Sequence, residues 1–130
     1  MEFDYVIVGA GSAGCVLANR LSENGRYRVV LLEAGPRDRY PWLHIPIGYA
    51  KTMFHPKYNW RYYTEPDSGM NGRSIYWPRG KVLGGSSAIN GLIYVRGQPE
   101  DYEHWAALGN PGWSWQEVLP YFIRAERNER

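Results

Sequence analysis

Two glycine-rich runs and one carboxylate hold most of the chemistry this chain can do. Gly9-Ala10-Gly11-Ser12-Ala13-Gly14 has the spacing of a dinucleotide fingerprint, and Glu33 follows nineteen residues after its last glycine. In that pattern Gly9 permits a tight turn, Gly11 lets backbone approach a pyrophosphate, and Gly14 lets a helix pack closely on a strand. A helix that starts there offers unpaired N–H groups and a partial positive charge to phosphate oxygens. A carboxylate at Glu33 can accept hydrogen bonds from ribose hydroxyls and would repel a 2′-phosphate. These residues read as an adenine-dinucleotide site, and they leave NAD and FAD equally open. The second run, Arg79-Gly80-Lys81-Val82-Leu83-Gly84-Gly85-Ser86-Ser87-Ala88-Ile89-Asn90-Gly91, sets two adjacent glycines ahead of paired serines. It reads as a loop whose amides converge on a ligand, with a serine N-cap opening a helical turn.

Few other side chains have the makings of a catalytic group. His44 and His55 fall in an irregular stretch and His104 lies beside Trp105 on an expected helix, so each reads as a surface or packing residue. Cys15 is the single cysteine; with no second thiol and no neighbouring base it reads as structural, and no internal disulfide can form. Asp101 and Glu103 are two positions apart, so on a helix they point in different directions and form no acid–base pair. Arg79 and Lys81 can neutralise phosphate charge or lie in a solvated loop. No metal site is expected.

The elements that must position these groups follow from periodicity and punctuation. Residues 3–8 form a β-branched apolar run closed by Gly9, the pattern of a buried parallel strand. Apolar positions Ala13, Val16, Leu17 and Leu21 recur at helical spacing from Ser12, and Asn24-Gly25 supplies the stop. Residues 28–33 are a second apolar strand, so residues 1–35 make a βαβ unit. Residues 36–59 hold four prolines and scattered aromatics and read as an extended, irregular excursion. Residues 60–64 and 73–77 look like strands around a turn on Asp67-Ser68-Gly69 and Asn71-Gly72. A helical turn is expected over 86–92 and a helix over 99–108, opened by Pro99 and closed by Gly109. Ser114 with Glu117 makes a capping box for a last helix, expected to be still running at Arg124–Glu129. Trp105, Trp113 and Trp115 are read as anchors of these two helices.

Bulk properties narrow the function classes. A chain of 130 residues has the length of one ordinary domain. Its net charge of +2, with no Lys/Arg run, gives no footing for nucleic acid or an anionic membrane. No stretch has the apolar length of a membrane span. With one cysteine and no recognisable leader, a cytoplasmic location is the expectation, peripheral membrane association not being excluded by sequence.

Residues 5–35, with the first glycine run and Leu32-Glu33-Ala34-Gly35, resemble the opening of the glucose–methanol–choline (GMC) oxidoreductases. The segment from Gly80 to Glu103 resembles that family's first signature, most of all in its choline-dehydrogenase-like branch. The resemblance implies an α/β FAD-binding fold with a Rossmann-type βαβ unit, and FAD rather than NAD. It implies that Gly9, Gly11, Ser12, Ala13 and Gly14 serve the pyrophosphate, and Glu33 with Ala34 the adenosine ribose. Arg79, Gly80, Leu83, Gly84, Gly85 and Ser86 would line the flavin and pyrophosphate side, with Asn90, Gly91 and Ile93 near the isoalloxazine. Some members attach flavin through a histidine just before that asparagine. Ile89 stands here, so non-covalent FAD is expected. Asn59-Trp60 falls where related chains pack an aromatic close to the cofactor; core packing is the favoured reading for the pair.

The family oxidises alcohols by hydride transfer to the flavin, with a histidine far downstream as base, and nothing in this chain matches that histidine. Family members are several times longer. The expectation is therefore the N-terminal part of a GMC FAD-binding domain. It comprises the βαβ unit (1–35), loops, short strands and the flavin-side glycine run (36–98), and helices (99–130). The substrate domain would be missing, left to a C-terminal region or a complementing chain. As a separate polypeptide it is expected to bind FAD weakly and not to turn over alcohol. A different flavin or nicotinamide enzyme sharing only the opening unit, and a non-catalytic nucleotide-binding or partner-complemented module, are the alternatives.

Overall fold

Strand β1 (Tyr5–Val8) runs into Gly9, whose φ of +97° turns the chain straight into helix α1 (Ser12–Ser22). The helix stops two residues short of the expected Asn24, where Gly25 at φ +67° returns its N–H to the Ser22 carbonyl. Strand β2 (Val29–Leu32) then pairs parallel to β1, with Tyr5 opposite Val29 and Val8 opposite Leu32. The structure, a computed structural model, describes residues 2–126. The chain divides into two compact units, Met1–Ile93 and Tyr94–Arg130.

In the first unit, the stretch expected to be extended after Pro36 is instead wound into short turns. Pro41 and Pro46 each open a 3₁₀ turn, over Pro41–Leu43 and Pro46–Gly48, and one α-turn follows, α2 (Tyr49–Thr52). Proline's fixed φ suits the first helical position, and this is the physical reason for the difference. The antiparallel pair β3 (Tyr62–Tyr63) and β4 (Tyr76–Trp77) is shorter than the sequence suggested. Arg61, at φ +56°, breaks the first strand before Tyr62. The turn is built as expected: the Asp67 side chain accepts from the Gly69 N–H at 2.7 Å, and Asn71 and Gly72 take positive φ.

The core of this unit gathers Tyr58, Val82 and Ile89, with Tyr40, Leu43 and Ala88 packed against them. Val82 and Ile89 belong to the second glycine run, so that run is anchored from beneath by its own apolar side chains. Its helical turn spans only Gly85–Ala88 and is entered through Gly84 at φ +98°, without a side-chain cap. The paired serines do not cap it. Ser86 Oγ accepts from the Gly80 N–H at 3.1 Å, and Ser87 Oγ donates to the Gly84 carbonyl.

The second unit is a helix pair, α3 (Pro99–Ala107) and α4 (Trp115–Ala125). Tyr102 packs against Trp105, Trp115 and Phe122, and Trp105 against Trp113. The Ser114–Glu117 capping box is present, and Gln98 with Asp101 makes a second one that sequence reading missed. Helix α4 was expected to be still running at Arg124–Glu129. It ends at Ala125, and Glu126 is extended, its carboxylate taken by the Arg96 guanidinium and, at 3.4 Å, by the Tyr94 hydroxyl. Residues 127–130 of that expected helix lie outside the described residues. No helix among the described residues is long and apolar enough to cross a membrane.

Candidate dinucleotide cleft

The amino end of α1 is built to leave its donors free. Its N-cap is Gly11, which has no side chain to fold back, and no side-chain cap is made. Among the described residues, the N–H groups of Gly11, Ser12, Ala13 and Gly14 find no acceptor. Four unsatisfied donors and the helix dipole therefore face one direction. A Cβ built on Gly9 or Gly11 would meet no protein atom within 4 Å, so open space lies over these donors. Gly14 is the opposite case: a Cβ there would fall 1.9 Å from the Gly9 carbonyl oxygen, so helix and turn touch through bare backbone.

Glu33, just beyond the end of β2, reaches back to this turn. One carboxylate oxygen accepts from the Ala10 N–H at 2.8 Å and the other from the Gly35 N–H at 2.8 Å. A carboxylate has about four acceptor positions, so capacity remains for hydroxyl donors. Glu33 thus fixes the glycine turn as well as facing the cleft.

The second glycine run closes directly on the first. The Gly84 N–H donates to the Ala10 carbonyl at 2.8 Å. A Cβ on Gly85, which also sits at φ +59°, would lie 2.8 Å from the Gly11 Cα. Only glycine satisfies both the backbone angle and the approach. Between them the two runs frame a cleft of about 640 Å³, lined by Val8, Gly9, Gly11, Leu32, Glu33, Ala34, Trp60, Tyr62, Arg79, Gly80, Gly85 and Ser86.

Of the residues singled out from sequence, Gly9, Gly11, Glu33, Ala34, Arg79, Gly80, Gly85 and Ser86 line this cleft. Ser12, Ala13 and Gly14 form the first turn of the helix behind it. Gly84 braces the floor through its bond to Ala10, while Leu83 is not among the lining residues. Asn90 lines a separate small cavity with Trp42, Leu43 and Ala88, its side chain accepting from the Leu92 N–H. Gly91 borders open space, and Ile93 is 84% exposed. The structure thus groups the pyrophosphate and ribose candidates and leaves Asn90, Gly91 and Ile93 outside that group.

Trp60 is a correction. It is not core: it is 41% exposed and lines the cleft, stacked on Tyr62 with ring centroids 5.9 Å apart and planes 6° apart. The Lys81 ammonium lies over its ring at 4.4 Å, and Arg79 lies over Trp77 at 4.7 Å. The buried member of the pair is Asn59. Tyr62 was missed altogether, its only signal being its place two residues from Trp60 on a presumed strand, hence on the same face. No histidine is among the lining residues: His55 packs against the stacked rings of Tyr40 and Tyr58, and His44 bonds the Asp38 carbonyl.

This donor set fits an adenine dinucleotide. Free amides at a helix start match phosphate oxygens, Glu33 matches ribose hydroxyls, and flat aromatic and basic side chains stand on the facing wall.

Comparison with known proteins agrees with that geometry. Residues 3–129 match the family model described as GMC oxidoreductase. The chain is 50% identical over 135 residues to mitochondrial choline dehydrogenase from Mus musculus. It is 52% identical over 128 residues to alcohol dehydrogenase (acceptor) from Pseudomonas putida. Each alignment covers 98% of this chain and 23% of the relative, so the chain spans about a quarter of the length of these curated relatives. The crystal structure of pyridoxine 4-oxidase from Mesorbium loti is similar with a TM-score of 0.86 at 42% identity, covering 93% of this chain and 24% of that one. A match that begins at residue 3 and ends at residue 129 takes in both glycine runs and everything between them, and this protein belongs to the GMC oxidoreductase family.

Proposed function

We propose that this chain is the N-terminal part of the FAD-binding domain of an oxidoreductase acting on CH–OH donors, with β1–α1–β2 as the opening of a Rossmann-type sheet. In this reading residues 1–35 hold the adenosine diphosphate half, residues 36–98 carry the flavin-side wall, and α3 and α4 form a separate helix pair. The observation that carries it is the Gly84 N–H to Ala10 carbonyl bond, which closes two glycine runs 74 positions apart on a single cleft. The names of the relatives, choline dehydrogenase and alcohol dehydrogenase, supply the donor class.

Each residue has a task that its geometry supports. The free amides at Gly11–Gly14 bind the pyrophosphate, and Glu33 accepts from the adenosine ribose while keeping Ala10 in place. Arg79 balances phosphate charge from the facing wall, and Trp60 and Tyr62 exclude water from that side. Bound FAD would supply the hydride acceptor for alcohol oxidation. No linkage to the protein is expected, because Ile89 is buried and carries no nucleophile. No side chain here is assigned as the base that takes the hydroxyl proton, because no histidine is among the residues that line the cleft.

Titration of the purified protein with FAD and with NAD, followed by flavin fluorescence quenching and by melting temperature, tests this. Saturable quenching by FAD with a rise in melting temperature, and neither with NAD, is the expected result. Binding of NAD in preference to FAD would overturn it.

A further inference from the structure

Asn59 is 2% exposed, and all of its hydrogen-bonding capacity is used. Its Nδ2 donates to the Met53 carbonyl and to the Tyr76 hydroxyl at 3.2 Å. Its Oδ1 accepts from the Arg61 N–H at 2.8 Å and from the Arg79 N–H at 3.0 Å. The last two bonds matter most, because Arg61 and Arg79 bracket the far wall of the cleft. Arg61 sits at φ +56° between Trp60 and Tyr62, the two stacked rings. A non-glycine residue there is strained and persists only where its surroundings hold it. The Asn59 side-chain Oδ1, two residues back, is such a hold. Arg79 and Gly80 form the basic end of the same wall, tied to it again by the Trp60 N–H to the Arg79 carbonyl at 2.9 Å.

We propose that Asn59 is a positioning residue for the cofactor cleft, fixing the Trp60–Tyr62 stack and the Arg79–Gly80 segment against each other through its side-chain Oδ1. It touches no ligand itself. Its two N–H bonds, to Met53 and Tyr76, seat the amide so that this oxygen faces both amides. This inference rests on the FAD reading above for its ligand and on the hydrogen bonds alone for its geometry.

The test compares Asn59→Leu with Tyr76→Phe in the purified protein, reading amide hydrogen exchange without ligand and FAD affinity. Tyr76→Phe removes one bond to Nδ2 and leaves the carbonyl side intact. Asn59→Leu keeps the side-chain size and removes all four bonds. Exchange at the Arg61 and Arg79 amides should accelerate at least about tenfold in Asn59→Leu, with FAD affinity falling by a similar factor. Both should stay within about threefold of the parent in Tyr76→Phe. Should Asn59→Leu fail to fold, Asn59→Ser serves, because a hydroxyl can still accept from the Arg61 amide two residues on but is too short for Arg79. Only the Arg79 amide should then lose protection. Unchanged exchange at Arg79 in the Leu or Ser variant overturns the proposal, as does parental FAD affinity in Asn59→Leu with both amides exchanging fast. If the parent itself binds no FAD, the function reading fails, and the exchange data still decide the role of Asn59.

Discussion

Gly11 occupies the N-cap of α1 with φ −80° and ψ −170°, angles that any residue can adopt. Its backbone therefore does not require glycine, and a Cβ would meet no protein atom. Serine there is an equal or better helix cap, by a few tenths of a kcal/mol. The pressure for glycine must come from what shares the space. Gly11→Ser is expected to leave the melting temperature of the ligand-free protein unchanged or slightly raised, while FAD affinity falls by at least about tenfold. The new hydroxyl takes the amides that would otherwise meet phosphate. Calorimetry and fluorescence titration on the same sample check both signs. A variant that binds FAD as tightly as the parent would mean the helix start is not the phosphate site. Much at this scale was legible: the glycine spacing and Glu33 can be read straight from the chain. The second task of Glu33, holding the Ala10 amide, was not, because it depends on the end of β2 lying beside the turn. Trp60 was misread for a similar reason. Its exposure follows from a positive φ at Arg61 and from bonds to Asn59 that reach twenty residues along the chain.

Elements were readable where local signals agree. The parallel strands and α1 follow from apolar periodicity and glycine punctuation, and α4 from its capping box. The 3₁₀ turns after Pro36 leave no period to detect, and the closure of the second glycine run on the first has no local signature at all. The α4 cap also sets a pH response. The Ser114 hydroxyl and backbone N–H both donate to the Glu117 carboxylate, at 2.6 and 3.2 Å. With the Gly112 backbone they hold its pKa below the ordinary 4.5, against a smaller desolvation effect. The folded state thus favours the carboxylate. That stabilisation is fully present above the ordinary value and is lost as pH falls through the lowered one. Amide exchange at Glu117 and Val118, whose N–H groups return to the Ser114 carbonyl, should accelerate as pH drops through that window beyond the intrinsic rate change. In Glu117→Gln the extra acceleration should vanish. If parent and variant follow the same curve, the carboxylate is not what holds the cap.

At the scale of the molecule, the first unit shows a sheet whose apolar faces are open. Parallel strands are ordinarily covered on both sides, yet among the four residues of β1 only Ile7 is buried, with Val6 59% and Val8 82% exposed. Leu32 on β2 and Val16 and Leu17 on α1 are exposed as well. Val8 and Leu32 line the cleft, so bound dinucleotide can shield those two, but Val6, Val16 and Leu17 lie outside it. Apolar area of this kind favours association by roughly 25 cal/mol for each Å² removed from water. The 130-residue polypeptide is therefore expected to bind the hydrophobic dye ANS and to sediment as concentration-dependent oligomers, and saturating FAD should reduce the dye signal only in part. Val6→Thr with Leu17→Gln, neither of them in the cleft lining, should lower dye binding and shift sedimentation toward the monomer without changing FAD affinity. A monomer that binds no dye would show these faces to be covered within the chain itself. Loss of FAD affinity in the double variant would tie Val6 or Leu17 to the cleft, although neither is among its lining residues.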